Sequence, residues 1–388
     1  WGLLRTKDIV CFDSDIERPV EDPFEEPPPP DVPDIVPTEP VEPTLVDDAL
    51  PPLEDEPTAA ALDGPSDLAS DSAMEDAGLE SVIGLGPGAL GARLGGRFGK
   101  DKYGRGGGRT EPTLQAGLRW LASHQAPDGS WDCDGFGRQC GAIGAGKCSG
   151  PGEAAHDVGA TGLAVLAFLG DGNTTSFGPY RDVVARGIAW LVRQQDPDTG
   201  LLGDRLGHGY LYSHSIATLA LCEAWYFTRN PLIKRPAQDA VALITRARNP
   251  YSAWRYDYPP SGESDTSVTG WMVFALKSAE EGGLTIDPEA YVGALSWIDE
   301  VTDRVTGRVG YDSAGSLSSR IVGLNEHYPP ESGEAMTAVG LLCRFFIGQT
   351  PEKAPIMTRH ADLLLEKLPE WDPRGLGNDM YYWYYGSY

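Results

Sequence analysis

Residues 119–131 read RWLASHQAPDGSW, and residues 186–202 read RGIAWLVRQQDPDTGLL. A Trp-Leu pair, a glutamine and a glycine keep the same order in both. A recurring pattern is first of all a structural unit. The residues leading into it carry apolar side chains at three- and four-residue spacings. Leu114, Leu118 and Leu121 form one such set, and Val184, Ile188 and Leu191 another. That spacing predicts amphipathic helices. Loops rich in Gly, Pro and Asp follow them. A second kind of helix comes next: TGLAVLAFLG from Thr161, SIATLALCEA from Ser215, TGWMVFALKS from Thr269 and TAVGLLCRFF from Thr337. Anchored on those Thr and Ser positions, the steps are 54, 54 and 68 residues. ADLLLEKLPEW followed by NDMYYWYYGSY suggests a fifth unit.

Each unit reads as a helical hairpin. Its first helix has one charged side, and its second is apolar nearly all round and must be buried on most sides. One half-buried and one fully buried helix per unit predict two concentric layers, an all-α ring of hairpins. The irregular steps favour a closed ring with variable loops over an open stack. Trp120, Gln125 and Trp131 in the first unit, with Trp190 and Gln195 in the second, read as fasteners between hairpins. A glutamine just past a helix C-terminus can donate to carbonyls that lack partners and accept from the next helix. A tryptophan can seal the joint, and a glycine allows the reversal. The chain stops at Tyr388 within what reads as another inner helix, so the ring is expected to be incomplete.

Composition separates this region, residues 110–388, from what precedes it. Residues 1–82 form an acidic, Pro-rich leader: the first 80 residues hold 23 Asp and Glu against three bases, net −20. EDPFEEPPPPDVPDIVPTEPVEP has too little apolar surface to offset its chain entropy and is expected to be disordered and extended. Residues 83–109 are a Gly/Arg-rich linker of net +5, which leaves −11 on the helical region. Arg/Gly-rich segments can bind RNA, but this one lies between two acidic regions, so nucleic acid is not the expected partner. The leader reads as a spacer or as a docking strip for an envelope protein. No run of 18 apolar residues occurs, so no membrane span is predicted. The chain opens at Trp1 without an initiator Met, which leaves a signal or membrane anchor upstream open.

At the fastener residues the chain resembles the terpene cyclase and prenyltransferase superfamily, whose QW motif is carried here by Gly117, Trp120, Leu121, Gln125, Gly129 and Trp131. Arg186, Gly187, Trp190, Leu191, Gln195 and Gly200 match again, with Leu202 where the last Trp belongs. Only Gly293, Trp297 and Gly307 remain of a later copy. The resemblance covers residues 110–388, is closest to the prenyltransferase and squalene oxidase repeat proteins, and implies an (α/α) toroid around a central cavity. Its chemistry does not follow. The Asp-x-Asp-Asp acid of the cyclases is absent, and Asp265 in ESDT stands without a paired carboxylate.

The remaining candidates lie in loops. His208, Tyr210, Tyr212 and His214, then Trp254, Tyr256, Asp257, Glu263 and Asp265, then His327, Tyr328, Glu331 and Glu334 could converge on one mouth of the ring, with Trp271 on an inner helix. Aromatics with carboxylates suit a glycan, a peptide or a cationic intermediate. The first loop carries Cys133, Cys140 and Cys148, then His156. A disulfide between Cys140 and Cys148, a structural zinc on these four residues, or free thiols are the alternatives. Asp132 and Asp134 could ligate calcium or merely form a turn. No cofactor is otherwise expected. The leading expectation is a terpene-cyclase-like toroid without cyclase chemistry, a binding or scaffold module tethered in the cell envelope. An isoprenoid enzyme using Asp265, or a polysaccharide hydrolase or lyase using Glu263, Glu331 or Glu334, are the enzyme alternatives.

Overall fold

The computed structural model describes residues 111–142, 148, 152–207, 209–316, 333–371 and 378–387. The leader, the linker, His208, His327, Tyr328 and Glu331 lie outside them. Ten α-helices occur among the described residues: α1 (Glu111–Ser123), α2 (Asp157–Gly170), α3 (Arg181–Arg193), α4 (Tyr210–Thr228), α5 (Pro231–Ala247), α6 (Thr266–Glu281), α7 (Glu289–Glu300), α8 (Ala335–Phe346), α9 (Ile356–Glu366) and α10 (Met380–Gly386). The fold among the described residues is all-α, built from helical hairpins in two layers. Among the described residues the only β pairing is two isolated bridges, Gln195 with Leu202 and Thr302 with Val309. None of these helices is long and apolar enough to cross a membrane.

Odd-numbered helices form the outer layer and even-numbered ones the inner layer. Each inner helix packs on the next, α2 on α4, α4 on α6, α6 on α8 and α8 on α10. Burial follows the layers. In α5 the buried residues Ile233, Ala237, Ala240, Val241, Ile244 and Ala247 recur at helical spacing along one face. In α6 every residue from Thr266 to Ala279 is buried.

One hydrogen bond recurs in four hairpins. The backbone N–H of the last apolar fastener position donates to a side chain on the following inner helix. Trp131 donates to Thr161 Oγ1 at 2.9 Å, Leu202 to His214 Nδ1 at 3.1 Å, Trp254 to Thr269 Oγ1 at 3.4 Å and Val309 to Thr337 Oγ1 at 3.3 Å. The second hairpin is thus in register at His214, not at the neighbouring Ser215. The slot demands a buried acceptor, which either side chain supplies.

A second set of contacts links each hairpin to the next. Gln125 Nε2 donates to Gly129 O at 3.0 Å and to Val183 O on α3 at 2.9 Å, while its Oε1 accepts from Arg186 at 2.5 Å. Gln195 Nε2 repeats this with Gly200 O at 3.2 Å and Pro236 O on α5 at 2.9 Å. Trp131 Nε1 donates to Leu121 O at 2.8 Å and Trp190 Nε1 to Asp128 Oδ2 at 3.1 Å. Gly129 takes φ 101°, and a Cβ there would lie 2.4 Å from Arg186 O. Gly200 takes φ 78°, with Asp239 O 2.3 Å from its would-be Cβ. Each glycine therefore serves two needs, a left-handed turn and close approach to the next outer helix.

In the fourth and fifth hairpins other residues do this work. His360 Nδ1–H donates to Gly307 O at 2.6 Å, and its Nε2 accepts from Arg344 Nε at 3.1 Å. Arg344 is itself buried and also reaches Asp299 Oδ1 at 2.7 Å and Gln349 Oε1 at 2.9 Å.

Candidate functional site

Asp265 closes the loop between α5 and α6 and caps the N-terminus of α6. Its backbone is extended, and its N–H donates to Trp254 O at 2.9 Å. Oδ1 accepts from Val268 N at 2.8 Å and from Ser267 Oγ at 2.7 Å. Oδ2 is buried and finds no hydrogen-bond partner among the described residues. Burial pushes the carboxyl up to about 6, against the Val268 N–H, the Ser267 hydroxyl and the charge of Arg255, which all favour the anion.

Phenols surround it. Tyr212, from the first turn of α4, donates to Ser267 Oγ, and that hydroxyl passes the contact on to Asp265. Tyr381 of α10 donates to Ser267 O at 3.2 Å. Tyr256 and Tyr311 share a hydrogen bond between their hydroxyls. Tyr212 and Tyr256 face one another with ring centroids 5.8 Å apart. Tyr210 Oη accepts from Tyr258 N at 2.6 Å. Burial raises the Tyr212, Tyr256, Tyr311 and Tyr381 hydroxyls above the usual phenol value, so they remain neutral donors. Tyr212, Tyr256 and Tyr381 are only half-buried. Trp271 packs 5.0 Å from Tyr384 and 5.5 Å from Tyr385. The arrangement holds one fully buried carboxyl group, raised to about 6, among phenol hydroxyls.

The structure brings Asp265, Tyr210, Tyr212, Tyr256 and Trp271 into this region and separates others from it. Trp254 is fully buried, and its Nε1 donates to Ile244 O at 2.7 Å. Its expected place at a rim is corrected: it fills the aromatic slot of the third fastener. His214 is corrected likewise, being fully buried between Leu202 N and Ala240 O. Asp257 is exposed. Glu263 is exposed and paired with Arg255, whose guanidinium lies over the Tyr256 ring. Glu334 is buried with both oxygens engaged. Arg308 Nε reaches them at 3.1 and 3.2 Å and Arg308 Nη2 reaches Oε1 at 2.7 Å, while Thr337 Oγ1 donates to Oε2 at 2.8 Å. It is a structural ion pair, not a free acid.

Sequence reasoning missed Ser267, Tyr311 and Tyr381. Tyr311 lies two residues past Val309 of the degraded fourth fastener, and Tyr381 sits in the aromatic run of α10. Both signals were in view, but nothing local places them beside Asp265.

Of the three alternatives for the first loop, the structure holds Cys140 and Cys148 as free thiols and not as a disulfide. Both sulfurs converge on His124 instead. Cys133 and His156 do not join them. The Cys133 N–H donates to Asp157 Oδ1 at 2.8 Å, and His156 pairs with Glu153 at 3.8 Å. Asp132, Asp134 and Asp157 form a separate acidic group. Burial, together with Asp132 and Asp134, pushes Asp157 up to about 6, against the Cys133 N–H.

No family model matches the chain, and no curated protein does. Solved structures with some similarity exist. One is described as a UGL variant with dGlcA-Glc-Rha-Glc: 15% identity, TM-score 0.43, covering 66% of this chain and 68% of that one. Another is an unsaturated glucuronyl hydrolase responsible for the degradation of glycosaminoglycan, from Bacillus sp. GL1: 15% identity, TM-score 0.42, with the same coverage. The resemblance to terpene cyclases and prenyltransferases is therefore corrected. Neither of these two structures is described as a terpene cyclase or prenyltransferase, and no family model carries the prenyltransferase assignment. The physical reason lies in the motif itself. The Gln, Gly and Trp positions join stacked hairpins, and any chain that stacks hairpins this way has use for them.

Proposed function

We propose that this toroid acts on polysaccharide, as a hydrolase or lyase, with Asp265 as the group that delivers a proton to the leaving glycosidic oxygen. The observation that carries the reading is the state of Asp265. One oxygen is held by the α6 N-terminus, the other is unpartnered among the described residues, and burial keeps the acid protonated up to about pH 6. Tyr212, Tyr256 and Tyr381 supply hydroxyls and ring faces suited to sugar hydroxyls and sugar rings. Asp265 stands among phenols and not opposite a second carboxyl group among the described residues. The reading therefore rests on one acid with neutral helpers, not on a carboxylate pair.

The test is a panel of neutral and uronate-containing polysaccharides. New reducing ends report hydrolysis, and the ultraviolet absorbance of an unsaturated product reports elimination. Asp265→Asn keeps an acceptor for the α6 cap, so its Tm should stay close to wild type while turnover falls on the order of a hundredfold or more. Glu263→Gln should leave turnover intact. Wild-type activity should decline as pH rises through about 6, where Asp265 loses its proton. Full activity in Asp265→Asn, or no turnover and no ligand-induced Tm shift across the panel, overturns the reading.

A further inference from the structure

The first loop folds back onto the end of α1 in a way the polysaccharide reading does not use. His124 is 1% exposed and Cys140 is 4% exposed. Cys140 Sγ lies 3.5 Å and Cys148 Sγ 3.4 Å from the same atom, His124 Nε2. A tetrahedral zinc with Zn–S of about 2.3 Å and Zn–N of about 2.0 Å places sulfur and nitrogen roughly 3.5 Å apart. The three ligand atoms all lie within 4.8 Å of one another.

The surroundings prepare these atoms. His124 Nδ1 lies 2.7 Å from Trp120 O, which can only accept. The ring proton therefore sits on Nδ1, and the Nε2 lone pair faces the two sulfurs. This is how metal-bound histidines are oriented by an outer hydrogen bond. Trp120 stacks on the imidazole, with centroids 3.9 Å apart and planes 21° apart, fixing its rotation. The backbone N–H of Cys148 donates to Cys140 Sγ at 3.0 Å, tying the two ligand positions together. A divalent cation between two thiolates and a neutral imidazole carries no net charge, as a buried site requires. Hard cations such as calcium would need oxygen ligands, and this donor set suits zinc.

We propose that His124, Cys140 and Cys148 bind a zinc ion that clamps the first loop to the end of α1. Each thiol gives up a proton on binding, so two protons are released per zinc. No fourth Cys, His, Asp or Glu atom joins the group among the described residues. Water or an exogenous donor takes the remaining tetrahedral position.

The experiment uses the full chain, purified with its thiols reduced, and measures zinc per chain and the uptake of cobalt(II). One metal per chain is expected. Cobalt should give intense tetrahedral d–d bands and a thiolate charge-transfer band, and chelation should lower the Tm. Cys148→Ser and His124→Gln should each lose the thiolate–cobalt spectrum at a concentration that saturates wild type. His156→Gln, whose ring lies elsewhere, should keep it. If His124→Gln fails to fold, Cys148→Ser at the half-buried ligand decides the matter. Three results would overturn the proposal: no cobalt uptake by a fully reduced wild-type chain, an unchanged cobalt spectrum in Cys148→Ser, or a Cys140–Cys148 disulfide in the freshly isolated protein.

Discussion

His214→Thr would give the second hairpin the joint that the other three already use. His214 accepts from Leu202 N through Nδ1, so its proton sits on Nε2, 3.2 Å from Ala240 O. Burial, against the Ala240 carbonyl that favours the cation and with the positive charge of Arg246, holds the ring down to about 4 from 6.5. The folded-state value lies below the unfolded one. The stabilising contribution is whole above about pH 6.5 and is lost as pH falls towards 4. From those two values the wild type loses about 2 kcal/mol by pH 5 and about 3 kcal/mol by pH 4 through this one group.

Threonine does not titrate. Its cost at pH 7 is the bond to Ala240 O, about 1 kcal/mol, and a small void, about 1 kcal/mol more. The variant should therefore be about 2 kcal/mol less stable at pH 7, equal near pH 5, and about 1 kcal/mol more stable at pH 4. Urea midpoints for both proteins between pH 7 and pH 4 check this. Asp157, Asp265 and His360 also titrate in this range, but they are common to both proteins and drop out of the difference. An offset that stays constant with pH refutes the reasoning, because it would mean His214 does not resist protonation.

Gly129→Ala should lower stability by about 3 kcal/mol, since the new Cβ meets Arg186 O and the backbone must hold a left-handed angle. A Tm within a degree of wild type would contradict that. Glu334→Ala should cost about 3 kcal/mol, at the lower end for a broken buried pair because Arg308 keeps 29% of its side chain in solvent. Glu334→Gln retains an acceptor for Thr337 and should recover part of that loss, read by the same denaturation midpoints.

The hairpins were legible because helical periodicity is local. Leu114, Leu118 and Leu121 announce an outer helix, and the small apolar run from Thr161 announces a buried one. Register was legible at Thr161, Thr269 and Thr337 and slipped at His214, because a buried acceptor can be threonine or imidazole and periodicity does not tell them apart. The loop around Trp254 is rich in Tyr and Asp, which points to a rim position. Only the packing shows that it occupies the slot filled by Trp131 in the first hairpin. Asp265 could be singled out as an acid at an inner helix start, but Tyr311 and Tyr381 reach it from the fourth and fifth hairpins. Proximity across hairpins leaves no mark on either segment. His124 was hidden differently, since it lies beside Gln125 in the fastener and was absorbed into that motif.

The recurring bond from fastener to inner helix spans 30 residues in the first hairpin, 12 in the second, 15 in the third and 28 in the fourth. Both ends of every span are pinned, one by the outer joint and one by the inner helix, so its length is free. The extra residues leave the helical frame unchanged. Asp265 lies in one span, and Cys140 and Cys148 in another. The molecule is thus divided into a fixed chassis and exchangeable segments. A segment can be lengthened or replaced between its two pins, and the new chemistry appears without refolding the rest.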